Sequence, residues 1–342
     1  MYRGHTVAVV VPAYNEEGFV GEVLETVPDY VDRIYAIDDD SSDGTWAEIR
    51  CAAAVLNEIE GGSDRLPTVT TTNRGPGTTN RVVPIQHETN RGVGGAIKTG
   101  YVKACDDVID ITAVMGGDGQ MDPDLLSRFL DPIVEREVDY TKGNRLLYPE
   151  YRRDMSAWRL FGNSILSYLT KMASGYWKMM DPQNGYTAIS LDALQTIDLD
   201  GMYEDYGYCN DLLVKLNVEE MRVADVPMPA VYGDEESGIQ YSTYIPKVSG
   251  MLFRNFCWRL RTRYLASGFN PLVLGYIFGV FVSLAGAVSG ARALLSGLQR
   301  EDTAFDRIAT SGRLLLSGTV FLSLAVLFDM RKNEELEVHQ YE

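Results

Sequence analysis

The sequence predicts an α/β domain with a mostly parallel sheet, followed by a two-helix membrane hairpin. Three observations carry this. β-branched runs alternate with helical periodicity over residues 6–115, polar clusters fall where those runs end, and two long apolar stretches stand near the C-terminus.

Thr6 to Pro12 is a continuous β-branched run and reads as a strand buried on both faces. Helical pattern follows from Glu17 to Thr26. Arg33 to Ile37 is the next strand, ending in Asp38-Asp39-Asp40, and Asp43 can cap a helix running to Ile59. Gly61 to Arg81, rich in Gly, Thr, Asn and Pro, reads as an exposed excursion. Val82 to Gln86, a helix over Val93 to Ala104, and Ile111 to Met115 complete the alternation. Open parallel sheets bind ligands at the carboxyl ends of their strands. Pro12-Ala13-Tyr14-Asn15-Glu16, Asp38-Asp39-Asp40 and Asp118-Gly119-Gln120 all fall there.

Charge marks the second environment. The chain carries −17 overall, yet Ser237 to Arg300 contains no Asp or Glu and seven Lys or Arg residues. Pro271 to Gly290 is twenty residues without a charge, long enough to cross a bilayer. Ile308 to Phe328 is the second span, with Arg313 near its start. Arg254, Arg259, Arg261 and Arg263 precede the first span and Arg331 and Lys332 follow the second. The positive-inside rule then puts both flanks, and the N-terminal domain, in the cytoplasm of a multi-pass membrane protein. Tyr241 to Leu265 mixes aromatic, aliphatic and basic residues, as an amphipathic helix in the headgroup layer would; an extended linker is the alternative. The expected divisions are 1–236, 237–268, 269–330 and 331–342.

Several classes are excluded. The acidic surface repels nucleic acid, and it suits either ordinary solvation or concentrated salt. Val7 to Val11 is too short for a signal peptide and has no cleavage site. Cys51, Cys105, Cys209 and Cys257 have no metal spacing and read as reduced thiols. Gly92 to Thr99 fails the phosphate-loop pattern because Ile97 stands where a Gly must precede Lys-Thr, and it also fails GxGxxG. It reads as a backbone-dense turn opening a helix close to the sheet. His5, His87 and His339 are scattered and read as structural or solvated.

Seven segments in order nevertheless resemble the inverting family 2 glycosyltransferases, and within them dolichyl-phosphate mannose/glucose synthases and archaeal N-glycosylation hexosyltransferases. They are VVVPAYNEE (9–17), AIDDDSSDGT (36–45), NRGVGGAIKTGY (90–101), GGDGQMDP (116–123), KGNR (142–145), DPQNGYTAIS (181–190) and YGDEESGI (232–239). The resemblance implies a GT-A fold and a nucleotide-sugar donor. It assigns Pro12, Tyr14 and Glu16 to base and ribose, Asp39 to reading the base, and Gly117 and Asp118 to the nucleotide sugar. Asp118 and Gln120 become ligands of Mg²⁺ or Mn²⁺, for which hard oxygen donors are suited. Arg145 falls beside the sugar site, with Arg152 and Arg153 following, and Asp181, Gln183 and Asn184 fall near sugar and acceptor. Two positions depart from the family: Gly116 replaces a carboxylate, and Val231 replaces an Arg.

The activity implied is inverting transfer of a hexose to a membrane lipid, dolichyl (polyprenyl) phosphate being the favoured acceptor. A second reading transfers to a hydroxyl of a lipid-linked glycan, with Asp211 or Glu204 as general base. A third is a non-catalytic nucleotide-sugar-binding partner of a glycosylation complex.

Overall fold

The computed structural model describes residues 1–62, 80–148, 157–229, 241–266, 268, 270–297 and 304–338. Most of the 61–81 excursion, Arg152, Arg153 and the 232–239 motif with Val231 lie outside them.

Strand β1 (Val7–Ala13) has every residue from Val7 to Val11 buried. Its two faces feed different cores, as the period of two requires. Val7, Val9 and Val11 pack with helices α1 (Val20–Thr26), α2 (Thr45–Gly62) and α4 (Leu126–Val134). Ala8 and Val10 pack with α3 (Val93–Asp106), α6 (Leu191–Thr196) and α7 (Tyr208–Val218). Strands β2 (Arg33–Asp38), β3 (Val82–Gln86) and β4 (Ile111–Val114) lie parallel with β1, as the alternation predicts.

The sheet then continues beyond the sequence-based expectation. Its order is β3-β2-β1-β4-β6-β5-β7-β8, with β5 (Tyr140–Asn144), β6 (Thr187–Ser190), β7 (Val223–Pro227) and β8 (Glu337–Val338). β6 runs antiparallel between β4 and β5, while β5, β7 and β8 are parallel to one another. The outermost strand thus comes from beyond both apolar stretches, in a segment that reads from sequence as a cytoplasmic tail.

Helix α8 (Tyr241–Arg261) is continuous, so the basic segment is no extended linker. Val248, Met251 and Leu252 pack on α5 (Ala157–Ser174) and α7, while Phe253, Arg254, Trp258 and Arg261 face outward. After a π-turn at Thr262–Ala266 come α9 (Leu272–Gly297) and α10 (Ala304–Asn333). Only 28% and 17% of their apolar windows are buried within the protein, which core helices would exceed by far. Both are long and apolar enough to span a membrane. They approach closely because glycines face the partner: a Cβ on Gly279 would come within 2.6 Å of Leu322 and one on Gly286 within 2.9 Å of the Leu315 backbone.

The hairpin is fastened to the domain by a buried polar knot. Arg259 and Asp329 are both fully buried and joined by two hydrogen bonds of 3.0 and 2.7 Å. Tyr264 donates to the same carboxylate at 2.7 Å, and Arg259 also donates to the Met172 carbonyl of α5. Removing one partner of such a pair leaves an uncompensated buried charge. Asp329→Ala is therefore expected to cost about 3–5 kcal/mol, read as a lowered unfolding midpoint in detergent.

Candidate active site

The site is built where β1, β2 and β4 end together. Ala13 is level with Asp38 across β1 and β2, and the backbone continues the pairing from Asp39 N to Ala13 O at 2.9 Å and from Gly117 N to Pro12 O at 3.1 Å. Both exits turn through the left-handed region, at Asn15 (φ 57°) and Asp40 (φ 62°), residue types that tolerate it. The two loops are then laced together. Asn15 Oδ1 accepts from the Ser42 amide at 2.9 Å, Ser41 Oγ accepts from Asn15 N at 2.9 Å, and Thr45 Oγ1 accepts from Glu16 N at 2.7 Å. This leaves Tyr14 half exposed at the mouth of the strand ends.

Asp39 is buried and held on one side only. Its Oδ1 accepts from the Arg91 amide at 2.9 Å and meets His87 Nδ1 at 2.7 Å, while His87 Nε2 lies 2.9 Å from Thr99 Oγ1. His87, read from sequence as structural or solvated, thus orients the carboxylate that the family resemblance assigns to the base. Its signal was its place one residue beyond the end of β3, beside β2. Asp38 points elsewhere, accepting from Gln86 Nε2 at 3.0 Å.

Asp118 follows β4 in a turn completed by Gly119 (φ 71°), with its Oδ1 accepting from Gln120 N at 3.1 Å. Burial raises its carboxyl above the ordinary range, and among the described residues no Lys or Arg pairs with it. Such a carboxylate fits a divalent cation. Asp118 and Gln120 are the residues that would hold such an ion, with few protein ligands, since among the described residues there is no cluster of three acidic, His or Cys ligands. Mg²⁺ is commonly bound in that way. Gly116 is sterically linked to this arrangement: a Cβ there would stand 2.9 Å from Asp118 Oδ1.

The other side of the cleft is carried by the end of β5. Arg145 donates to Asp181 three times, from its backbone N at 3.1 Å, Nε at 2.7 Å and Nη2 at 2.9 Å. Burial works to raise the Asp181 carboxyl, but the Arg145 guanidinium more than cancels it and holds the carboxyl below its usual range. Asn184 is buried and used internally, accepting from Tyr186 N at 3.0 Å. Gln183 differs: both polar atoms of its amide are buried and have no hydrogen-bond partner among the described residues.

Asp211 and Glu204 are each engaged by other groups of the protein. Asp211 is buried at the start of α7; its Oδ2 accepts from Tyr203 N at 3.0 Å and its Oδ1 from Asn255 of α8 at 2.6 Å. Burial raises its carboxyl. Glu204 pairs with Lys98 at 3.0 Å and Arg91 at 2.9 Å, and the Lys98 hydrogen bond lowers its carboxyl. The glycine-rich opening of α3 packs on this segment as well as on the sheet. Gly95 N donates to Glu204 O at 2.9 Å, and a Cβ on Gly92 would lie 2.6 Å from that oxygen. A cavity of 370 Å³ lies between Arg91, Gly92, Glu204, Asp205 and Lys247.

Buried or partly buried carboxylates at the carboxyl ends of parallel strands mark a ligand cleft, and the sheet that carries them is of the GT-A kind. The chain belongs to glycosyltransferase family 2, residues 8–198 matching the domain described as "Glycosyl transferase family 2". It is 30% identical over 225 residues to the UDP-N-acetylglucosamine–dolichyl-phosphate N-acetylglucosaminyltransferase of Methanococcus voltae, covering 66% of this chain and 85% of the relative. It is 25% identical over 272 residues to the polyprenol monophosphomannose synthase of Mycolicibacterium smegmatis, covering 75% and 87%. Among solved structures, glucosyl-3-phosphoglycerate synthase from Mycobacterium tuberculosis, in complex with Mn²⁺, UDP and phosphoglyceric acid, shares the fold. The TM-score is 0.52 at 16% identity, over 75% of this chain and 78% of that one. The same enzyme has been solved with Mg²⁺ and UDP. The protein is a glycosyltransferase enzyme related to dolichyl-phosphate sugar transferases, which sets the non-catalytic reading aside.

Asp118→Ala is expected to reduce turnover by at least about 100-fold, the scale on which loss of a group stabilising transition-state charge is felt. Gly116→Asp should also lower activity, because the added side chain displaces Asp118. Metal-titrated turnover measures both, and a gain in Gly116→Asp would refute the steric account.

Proposed function

We propose that this enzyme transfers a hexose or N-acetylhexosamine from a nucleoside diphosphate sugar to a polyprenyl phosphate of the dolichyl type, inverting the anomeric carbon. An oxygen of the lipid phosphate bonds to that carbon as its bond to the donor diphosphate breaks, and the nucleoside diphosphate departs with the electron pair. The observation that carries this reading is the engagement of both candidate bases, Asp211 and Glu204, in contacts within the protein. A sugar hydroxyl needs a base, whereas a phosphate monoester, with a second pKa near 6, is largely dianionic at neutral pH.

The chain's residues take these roles. Asp39, steadied by His87, accepts the imide N–H of a uracil-like base, in keeping with the donor named for the Methanococcus voltae relative. Pro12, Tyr14 and Glu16 flank base and ribose, and Gly117 lets the backbone approach the diphosphate. Asp118 and Gln120 would hold a divalent cation, Mg²⁺ or Mn²⁺, which would neutralise charge on the leaving diphosphate. The shielded amide of Gln183 orients a sugar hydroxyl. Arg145, fixed in one orientation by Asp181, aligns the acceptor phosphate by charge-assisted hydrogen bonds. The outward Phe253, Arg254, Trp258 and Arg261 of α8 settle in the headgroup layer, so the lipid is met at the bilayer surface.

With dolichyl phosphate as acceptor, Arg145→Ala should lose roughly 100-fold in turnover, since it truncates one member of a desolvated charge pair. Asp211→Asn should retain most activity. The reverse pattern, with product formed on a glycan hydroxyl, would overturn the phosphate reading. For topology, the domain is cytoplasmic and the protein multi-pass. Cysteines introduced at Gly297 and Val338 should react with an impermeant reagent from opposite faces of the membrane, and labelling of both from one face contradicts the hairpin.

A further inference from the structure

The segment Trp177–Asn184 brings Asp181 and Gln183 to the acceptor side of the site, and its first half has no helix or strand of its own. Its backbone amides must find partners elsewhere. Three of them find the same one. Glu337 is only 7% exposed, and its carboxylate accepts from Trp177 N at 2.9 Å, Lys178 N at 2.5 Å and Met179 N at 3.0 Å. The next amide, Met180 N, donates to Asp225 Oδ2 of β7 at 2.8 Å. Lys142 of β5, fully buried, pairs with Asp225 at 2.8 Å and donates to the carbonyls of Met180 and Asp181. Asp181 then takes its left-handed conformation (φ 50°) and grips Arg145. Four consecutive amides are thus oriented by two carboxylates, and the path from Glu337 ends at the acceptor-side guanidinium.

Glu337 reaches this position by way of the hairpin. α10 ends at Asn333, whose side chain accepts from Arg263 at 2.6 Å and from Asn217 of α7 at 3.0 Å. A short turn follows, and Glu337 then pairs with Val223 as the sheet's edge. The residue is set by the emerging membrane helix at one end and by β7 at the other.

We propose that Glu337 is a positioning residue for the acceptor half of the reaction, making seating of the hairpin a condition for an ordered acceptor site. This rests on the assignment of Arg145 and Asp181 to the acceptor phosphate. Glu337 touches no reacting group and acts through the 177–181 backbone. The donor half, on β1, β2 and β4, stands on contacts that do not involve Glu337.

The test uses the full chain in phosphatidylglycerol vesicles carrying dolichyl phosphate, with UDP-N-acetylglucosamine as donor. Glu337→Gln keeps the side chain's size but turns an N–H toward the amide cluster. We expect hydrogen-exchange protection at Trp177 to Met179 to fall about tenfold, and KM for dolichyl phosphate to rise about tenfold. Donor KM should stay within about twofold, since the donor half keeps its contacts. Glu337→Asp should recover part of the acceptor KM, and it carries the same comparison if Glu337→Gln does not accumulate. Unchanged protection overturns the proposal, as does an equal rise in both KM values, which would indicate general loosening. A wild-type protein that ignores dolichyl phosphate while using another acceptor overturns the acceptor assignment instead. The two failures are distinguishable because loss of the clamp leaves wild-type turnover intact.

Discussion

Arg259 and Asp329 meet where no water reaches either of them, and the relation between the soluble domain and its two apolar helices depends on that contact. A guanidinium fork can satisfy a carboxylate with two parallel hydrogen bonds, and here it also donates to the Met172 carbonyl near the end of α5, while Tyr264 donates to the same carboxylate. Such a pair is a poor source of net stability, because desolvation offsets attraction. Its value is geometric: the ions are satisfied in one arrangement and exposed to large penalties in others. Gly175, at the end of α5 with φ 81°, leaves room for the Arg259 guanidinium.

The catalytic domain separates carboxylates by environment. Asp181 and Asp225 are neutralised by Arg145 and Lys142, and Asp211 is taken up by an amide and an Asn side chain. Among the described residues Asp118 is partly desolvated without a cationic partner, and Asp39 keeps one oxygen outside its hydrogen bonds to Arg91 and His87. Asp39 and Asp118 keep acceptor capacity at the end of β2 and just beyond β4, where parallel sheets receive ligands.

Much of this was legible in the sequence. The parallel strands have both faces buried, so they are written as unbroken β-branched runs such as Val7 to Val11, and the hairpin is written as length without charge. The position of Asp39 and Asp118 followed from where those runs stopped. What escaped is held together by contacts distant in sequence. β6 is four residues long and runs against its neighbours, so Thr187 to Ser190 carries no periodicity to read. His87 looked like one of three scattered imidazoles because its partners, Asp39 and Thr99, belong to other elements. The sequence cannot show that Asp211 accepts from Tyr203 N and from Asn255, since Asn255 belongs to another helix. Glu337 sits among other glutamates in a polar tail and has no local signature at all.

The order of residues along the chain also fixes an order of events. Domains fold from the N-terminus as synthesis proceeds, and every strand from β1 to β7 precedes the apolar helices. The eighth strand and its Glu337 follow them. The ribosome therefore delivers a nearly finished catalytic domain before the piece that fixes the 177–179 backbone exists. A nascent chain can add its last strand only after both helices have been made. The eight-stranded sheet is therefore complete only once both apolar helices have been synthesised.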